Sequence, residues 1–315
     1  MDRLSVFDPK ILHRQERFLS GRRSCKGCVK SLAARIVSKV SNSADPALGE
    51  INGQSDGLSS NTFAHDRVNT ADTLEKFVSV INSFYEKSVG QSRTDHVAFR
   101  KPVIGIDRKV LESDYVVLQR VLKNNNVLII CFDNEPAIDK LIRRAVPRPF
   151  VQNERKDPVT EKDVRDAVRQ KNIPSIMAKE DFSYMATACP SHQSDLIEKV
   201  RRGLDSSGNA FILVMTPCPT GWIFAPDKSL DMGRRAVLTG YFPLFEVNDS
   251  VIRFTVQPKN RKPVEEYLVL QKRFLTFPSV LMPAFQEAVD EFYEDLQKIG
   301  NIPEIAEKNK VKKYL

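Results

Sequence analysis

The chain has 315 residues, 41% hydrophobic and 28% charged, with 48 Lys and Arg against 40 Asp and Glu for a net charge of +8. Such a length can bury a large core, and the composition excludes disordered and collagen-like chains. No run approaches the ~20 apolar residues of a membrane span, and the charged first residues (Asp2, Arg3, Asp8, Lys10) lack the apolar core of a secretory signal, so a cytoplasmic protein with no membrane partner is expected.

The positive balance favours acidic partners only weakly, because the basic residues are scattered. The densest places are Arg14-Gln15-Glu16-Arg17, Arg22-Arg23 and the tail from Lys308 to Lys313, and aromatics do not interleave with them. No nucleic-acid partner is expected on that pattern. Five cysteines (Cys25, Cys28, Cys131, Cys189, Cys218) form an odd, irregularly spaced set. That argues against a disulfide framework and for thiols used as core residues or metal ligands.

In chain order, residues 22–40 read as a loop running into a helix, with Ala33, Ala34, Ile36, Val37 and Val40 at helical spacing. Residues 41–61 are rich in Ser, Asn, Asp and Gly and read as a flexible polar loop. A helix is expected over 71–85, with Leu74, Phe77, Val78, Ile81 and Phe84 on one face. Residues 102–106 are a short apolar run, and a helical pattern from Val110 to Leu122 stops at Asn124-Asn125-Asn126. Residues 127–132 are continuously apolar, as in a strand buried on both faces. Thr160 and Asp163 have the spacing of a capping box, and Ala167 and Val168 continue that helix. Residues 175–178 form a short strand candidate. Asp195 is read as the start of a further helix, with Glu198 three residues on and Leu196, Ile197, Val200 and Leu204 as its apolar face. Residues 210–215 are a strand again. Alternation at this spacing predicts a mostly parallel sheet covered by helices.

Beyond Cys218 the pattern changes. Residues 244–247 and 251–256 flank Asn248-Asp249-Ser250 as in a hairpin. Residues 263–274 and 283–299 read as helices, the second with a core stripe of Phe285, Val289, Phe292 and Leu296 before Gly300. His13, His65, His96 and His192 form no spaced pair, and no Ser-His-Asp set, P-loop or Gly-x-Gly-x-x-Gly is present, so no catalytic side chain is assigned.

Three stretches carry a resemblance. The loop ending Cys25-Lys26-Gly27-Cys28 resembles the N-terminal Cys-x-Gly-Cys loop of the β subunits of 2-oxoacid:ferredoxin oxidoreductases, the pyruvate synthase type. The run ending Cys131-Phe132-Asp133-Asn134-Glu135 resembles their thiamine diphosphate strand, and Thr216-Pro217-Cys218-Pro219-Thr220-Gly221-Trp222 resembles their Pro-Cys-Pro-Thr-Gly-Trp loop. Flanking stretches agree in order: Gly233 to Val237, Pro243 to Glu246 and Lys262 to Leu268.

The resemblance implies one thiamine-diphosphate-binding α/β domain over 1–315, a mostly parallel sheet flanked by helices with a C-terminal hairpin and helical extension over 219–315. It also implies oxidative decarboxylation of pyruvate or a related 2-oxoacid, α-like and ferredoxin-like (γ/δ) partner subunits, and electrons passed to ferredoxin. Implied cofactors are thiamine diphosphate with Mg²⁺, held near Gly105, Asp107, Asn134 and Pro136, and an iron–sulfur cluster on Cys25, Cys28, Cys218 and, as a substitute fourth ligand, Cys189. Zinc on the same thiols is the alternative.

The chain also departs from the pattern. Counting back from Asn134 by the family's spacing reaches Ile106, in Gly105-Ile106-Asp107, where the family has Gly-Asp-Gly. Asp107 stands one residue late, and strand side chains alternate in direction. The family's Asn-Thr-Gly is absent from residues 138–142, and its third cysteine falls in the polar loop, which has none. Two readings therefore stand: a β-like oxidoreductase subunit, and a non-catalytic structural or regulatory paralogue that has lost Mg–thiamine diphosphate.

Overall fold

The computed structural model describes residues 24–41, 48–49, 101, 103–108, 119, 122–123, 126–145, 158–169, 182–248 and 251–300. The helix expected over 71–85, most of the one expected between Val110 and Leu122, nearly all of the polar loop and the strand candidate at 175–178 lie outside them. Among the described residues, no helix is long and apolar enough to cross a membrane.

The strands are β1 (Leu48–Gly49), β2 (Val103–Asp107), β3 (Leu128–Asp133), β4 (Phe182–Ala188), β5 (Asn209–Met215), β6 (Leu244–Asn248) and β7 (Val251–Val256). They form one sheet in the order β1-β2-β3-β5-β4-β6-β7. Strands β1 to β5 run parallel, and β6 and β7 join antiparallel at the β4 edge. The expected central trio, β2, β3 and β5, is contiguous, with Ile130 of β3 in register with Gly105 on one side and Ile212 on the other. Every residue of β3 is buried, which is why its sequence is continuously apolar up to Asp133 rather than alternating. The expected α/β class, parallel sheet and C-terminal hairpin are all present.

Helices cover both faces. On one face lie α1 (Val29–Ser41) and α4 (Gln193–Asp205). Ala33 and Val37 of α1 and Leu196 and Val200 of α4 pack with Leu128, Ile130 and Phe132 of β3. On the other face lie α2 (Pro136–Ala145), α3 (Glu161–Arg169), α5 (Ser229–Leu238) and α6 (Met282–Gly300). Ile138, Val164, Ala236 and Phe285 share a core there with Ile106, Ile129 and Cys131. Complete burial of each such large apolar side chain stabilises the fold by roughly 1.5–3 kcal/mol.

The local signals decide most of these ends. The capping box forms at α3: Thr160 N–H donates to Asp163 Oδ2 at 2.9 Å, and Asp163 N–H donates to Thr160 Oγ1 at 3.3 Å. In α6 the stripe Phe285, Val289, Phe292 and Leu296 is buried as read. Two helix readings need correction. Helix α4 begins at Gln193, ahead of Asp195, and Asp195 pairs instead with the buried Lys199 at 2.6 Å. Residues 263–274 are not one helix: a single turn at Glu265–Leu268 gives way to extended backbone at Gln271 and a 3₁₀ turn at Lys272–Phe274. That break delivers Arg273 to the buried Glu135 carboxylate, with Gln271 Oε1 accepting from its guanidinium, so tertiary demand overrides helical spacing.

Candidate functional site

Because β2, β3, β5 and β4 are parallel, their C-terminal ends share one edge, the usual place for a ligand in an open α/β sheet. That edge gathers Asp107, Arg108, Asp133, Asn134, Glu135, Thr216, Cys218 and Cys189.

The β3 end is built first by its own backbone. Asp133 Oδ1 accepts the Glu135 N–H at 2.8 Å, and the Thr216 N–H donates to the Asp133 carbonyl at 2.7 Å. Glu135 takes φ 62°, a left-handed conformation that costs a non-glycine residue free energy. It is held there from outside. Trp222 Nε1 donates to the Asn134 carbonyl at 3.2 Å, and Tyr267 Oη donates to Glu135 Oε1 at 3.2 Å. Arg273 donates to Glu135 Oε2 through Nη2 and to Asp139 Oδ1 through Nη1 at 2.7 Å. Its guanidinium lies 4.2 Å from the Trp222 ring centroid, and Gln271 Oε1 accepts from its Nε at 2.9 Å.

Glu135 is 2% exposed, so the buried carboxylate and guanidinium must neutralise one another. Burial raises the Asp139 carboxyl, and Arg273 partly offsets that. Burial pushes the Tyr267 and Tyr241 hydroxyls well up, and the Glu135 charge adds to both. These tyrosines stay protonated, and Tyr267 serves as a hydrogen-bond donor.

The β2 end is arranged differently. Ile106 is 5% exposed and packs in the core on the α2–α3 face, in register with Cys131. Asp107 points to the opposite face, the side of α1, where Lys30 Nζ donates to its Oδ2 at 2.7 Å. The same ammonium lies 5.6 Å from the Phe132 ring centroid. Arg108, 7% exposed, sets Nη1 3.5 Å from Asp133 Oδ2. The position that should carry a Mg²⁺ carboxylate is therefore aliphatic and packed. The carboxylate one residue on is engaged by a lysine, and a guanidinium already faces Asp133. Gly105 lies within β2 and Pro136 opens α2 as a buried residue. This donor set does not fit Mg²⁺–diphosphate, which demands several oxygen ligands facing one point.

The thiols divide into groups. Cys28 precedes α1 as its capping residue, its carbonyl accepting the Leu32 N–H at 3.3 Å. Cys25 and Cys28 close a turn through the Cys28 N–H and the Cys25 carbonyl at 3.2 Å. Gly27 in that turn has φ +70°, and a Cβ there would come within 2.4 Å of the Pro226 carbonyl oxygen, so only glycine seats the turn against that segment. The loop is thereby brought beside Cys218, whose Sγ accepts the Gly221 N–H at 3.3 Å. Burial pushes the Cys218 thiol up, the Gly221 bond offsets part of this, and charge on Cys28 and then Cys25 adds to the rise.

Cys189 lies at the end of β4. Fully buried, it accepts from Ser191 Oγ at 3.1 Å and would touch a Cβ at Gly233 of α5 at 2.7 Å. Burial raises its thiol, and Asp195 is the charge that adds to this. Cys189, named as a substitute fourth ligand, thus lies under α5 and bonds with Ser191. Cys131 is a core residue, as its apolar run implies. Among the described residues, no group of three or more His, Cys, Asp or Glu side chains is arranged to hold a metal ion.

Sequence reasoning missed Lys30 and Arg273 as site residues. Neither carries a local signal; Arg273 lies 138 positions from Glu135.

No protein-family model matches the chain. It is 30% identical over 291 residues to the pyruvate synthase subunit PorB of Methanocaldococcus jannaschii, covering 88% of this chain and 95% of that protein. With the pyruvate synthase subunit PorB of Methanothermobacter thermautotrophicus, identity is 32% over 307 residues, or 90% and 98% of the two chains. The ketoisovalerate oxidoreductase subunit VorB of Pyrococcus horikoshii is 31% identical over 182 residues, 57% of this chain and 58% of that protein. With similarity spanning nearly the whole of the PorB chains, and with the Asp133–Glu135 and Cys218–Trp222 stretches meeting at one sheet edge, the chain belongs to the β-subunit family of 2-oxoacid:ferredoxin oxidoreductases.

Proposed function

We propose that this chain serves as a β-like subunit in a complex of the 2-oxoacid:ferredoxin oxidoreductase type, keeping the fold and the assembly role without binding Mg–thiamine diphosphate itself. The subunit role is supported by the names of the PorB and VorB relatives, and its partners are α-like and ferredoxin-like subunits. The observation that carries the loss of cofactor is the pair Ile106 and Asp107: the first is packed in the core, and the second is turned to the opposite face and bound to Lys30.

Titration calorimetry of the purified chain, alone and with its co-expressed α-like partner, tests this. No Mg²⁺-dependent heat with thiamine diphosphate is expected in either form, together with stable co-purification of the partner. Tight Mg²⁺-dependent binding would sink the reading, and sensitivity of that binding to Asp107→Asn would identify Asp107 as the ligand after all.

A second reading, the working oxidoreductase subunit acting on pyruvate or a related 2-oxoacid, is favoured by one observation. The Asp133-Asn134-Glu135 loop is intact and firmly held at the sheet edge. It is the conclusion that Mg²⁺-dependent binding would require.

A further inference from the structure

We propose that a solvent-open groove beside residues 219–228 docks an acidic segment of a partner subunit. That segment seats an apolar side chain on Ile223 and Leu270 and sets carboxylates against Lys228 and Lys272. The docking role rests on the subunit role and deepens it, by naming the surface used and the chemistry of the partner that fits it.

The groove, about 690 Å³, lies between the turn at Pro219–Trp222, helix α5 and the residues that follow the turn at Glu265–Leu268. Its apolar lining is Ile223, Phe224, Met232 and Leu270. Ile223 is 54% exposed and Leu270 41%, and the adjacent Val269 is exposed as well. An enclosed small-molecule site would bury such a lining, so the groove suits a side chain entering from another surface. Apolar groups gathered in an open concavity with a charged rim mark a protein contact. Ile223 carries the inference furthest. Its φ of 56° and ψ of 65° put a β-branched residue in the left-handed region, where glycine or asparagine is the usual occupant. The backbone is pinned there: the Phe224 N–H donates to the Pro219 carbonyl at 3.1 Å, and the Lys272 N–H donates to the Ile223 carbonyl at 3.3 Å. An isoleucine this exposed does not complete the chain's own core, so the strain at residue 223 is accounted for by a contact from outside.

The rim sets the charge of the partner. Lys228, Arg235 and Lys272 line the groove against one acid, Asp231. Arg235 is held by Asp231 at 3.0 Å and lies 3.6 Å from Glu266. Lys228 is 3.9 Å from Asp227, with both side chains largely in water, and Lys272 is exposed. Open ammonium groups of this kind give up a weak local contact for a carboxylate on an incoming surface. A bilayer fits less well, because it needs an apolar face that inserts among acyl chains, whereas these residues line a concavity.

To test this, the full chain is co-expressed with its α-like and ferredoxin-like subunits, the complex is isolated, and its dissociation on dilution is followed by mass photometry. Ile223→Asp combined with Leu270→Asp should weaken assembly by about tenfold or more. Ile223→Gly should weaken it too, while the full chain by itself melts at an equal or higher temperature because glycine relieves the left-handed strain. That pair of readouts separates a lost contact from a lost fold. A carbodiimide, which joins ammonium groups to carboxylates in contact, should link Lys228 or Lys272 to an Asp or Glu of a partner subunit. Complexes that assemble normally with all these variants and give no such link would overturn the docking groove while leaving the subunit role standing. Failure of the parent chain to co-purify with any subunit would overturn both. Variants that lose only self-association, or only binding to phosphatidylserine vesicles, would overturn the groove in favour of a second copy or a membrane surface.

Discussion

The ends of β2 and β3 are neighbours in the sheet, yet they are secured in opposite ways. At β3, Glu135 is buried among Arg273, Tyr267 and the segment carrying Trp222, and its strained backbone is fixed from several directions. At β2, among the described residues, Asp107 is tied by Lys30, and its side chain is 47% exposed. A buried carboxylate depends on its cation because water cannot replace it, whereas an exposed pair competes with water and salt. The difference teaches how to weigh the motifs. The Asp133-Asn134-Glu135 loop is held by a scaffold that joins β3 to residues 222 and 267–273, which lessens its weight as a sign of a cofactor. Among the described residues no such scaffold surrounds residue 106, and an isoleucine completes the core there.

The largest expected effect lies on the buried side of this comparison. Arg273→Ala should destabilise the protein by about 3–5 kcal/mol, because it strands Glu135 and Asp139 without their shared cation. Urea denaturation at neutral pH reads this directly. The double substitution of Arg273→Met with Glu135→Leu should recover much of the loss. If Arg273→Ala costs no more than a surface substitution, the contrast between the two strand ends is wrong.

Next comes Trp222→Phe, expected to cost about 1–3 kcal/mol. It removes the donor to the Asn134 carbonyl and leaves space where the larger ring packs. A loss much below this range would mean that water replaces the indole N–H, and the β3 loop would be less enclosed than described.

The capping box of α3 offers an exposed ion pair with a local cause. Hydrogen bonds from the Thr160 N–H, then Arg144 and the Thr160 hydroxyl, depress the Asp163 carboxyl to about 2 from its ordinary 3.8. A depressed acid contributes stability above its unfolded value and loses it as pH falls through the folded one. Asp163→Ala should therefore cost about 1 kcal/mol at neutral pH. The difference between variant and parent should fade as pH falls from about 4 to about 2. Thermal melts across that range measure it.

The smallest effect is expected at β2. Lys30→Met or Asp107→Asn should change stability by under about 1 kcal/mol, and added salt should erase the difference. A larger, salt-resistant loss would move Asp107 into the same class as Glu135.

Much of this molecule is legible along the chain. The apolar runs in β3 and β5 are strands because both faces are covered. The stripe from Phe285 to Leu296 is a helix face because its spacing matches the helical period. Thr160 and Asp163 close their box within one turn, so three residues suffice to predict it. The family resemblance was equally visible, since its motifs are contiguous. The one-residue offset of Asp107 was legible too, because alternation along a strand dictates which face a side chain meets.

What the sequence alone could not decide is who stands opposite whom. Lys30 meeting Asp107, Arg273 meeting Glu135, and Cys189 packing beneath Gly233 all join residues far apart in the chain. Local pattern determines period and burial, because those depend on near neighbours and on water. Charge pairing and the break at Gln271 were decided by the assembled core, where a buried carboxylate requires a cation from wherever the fold can bring one.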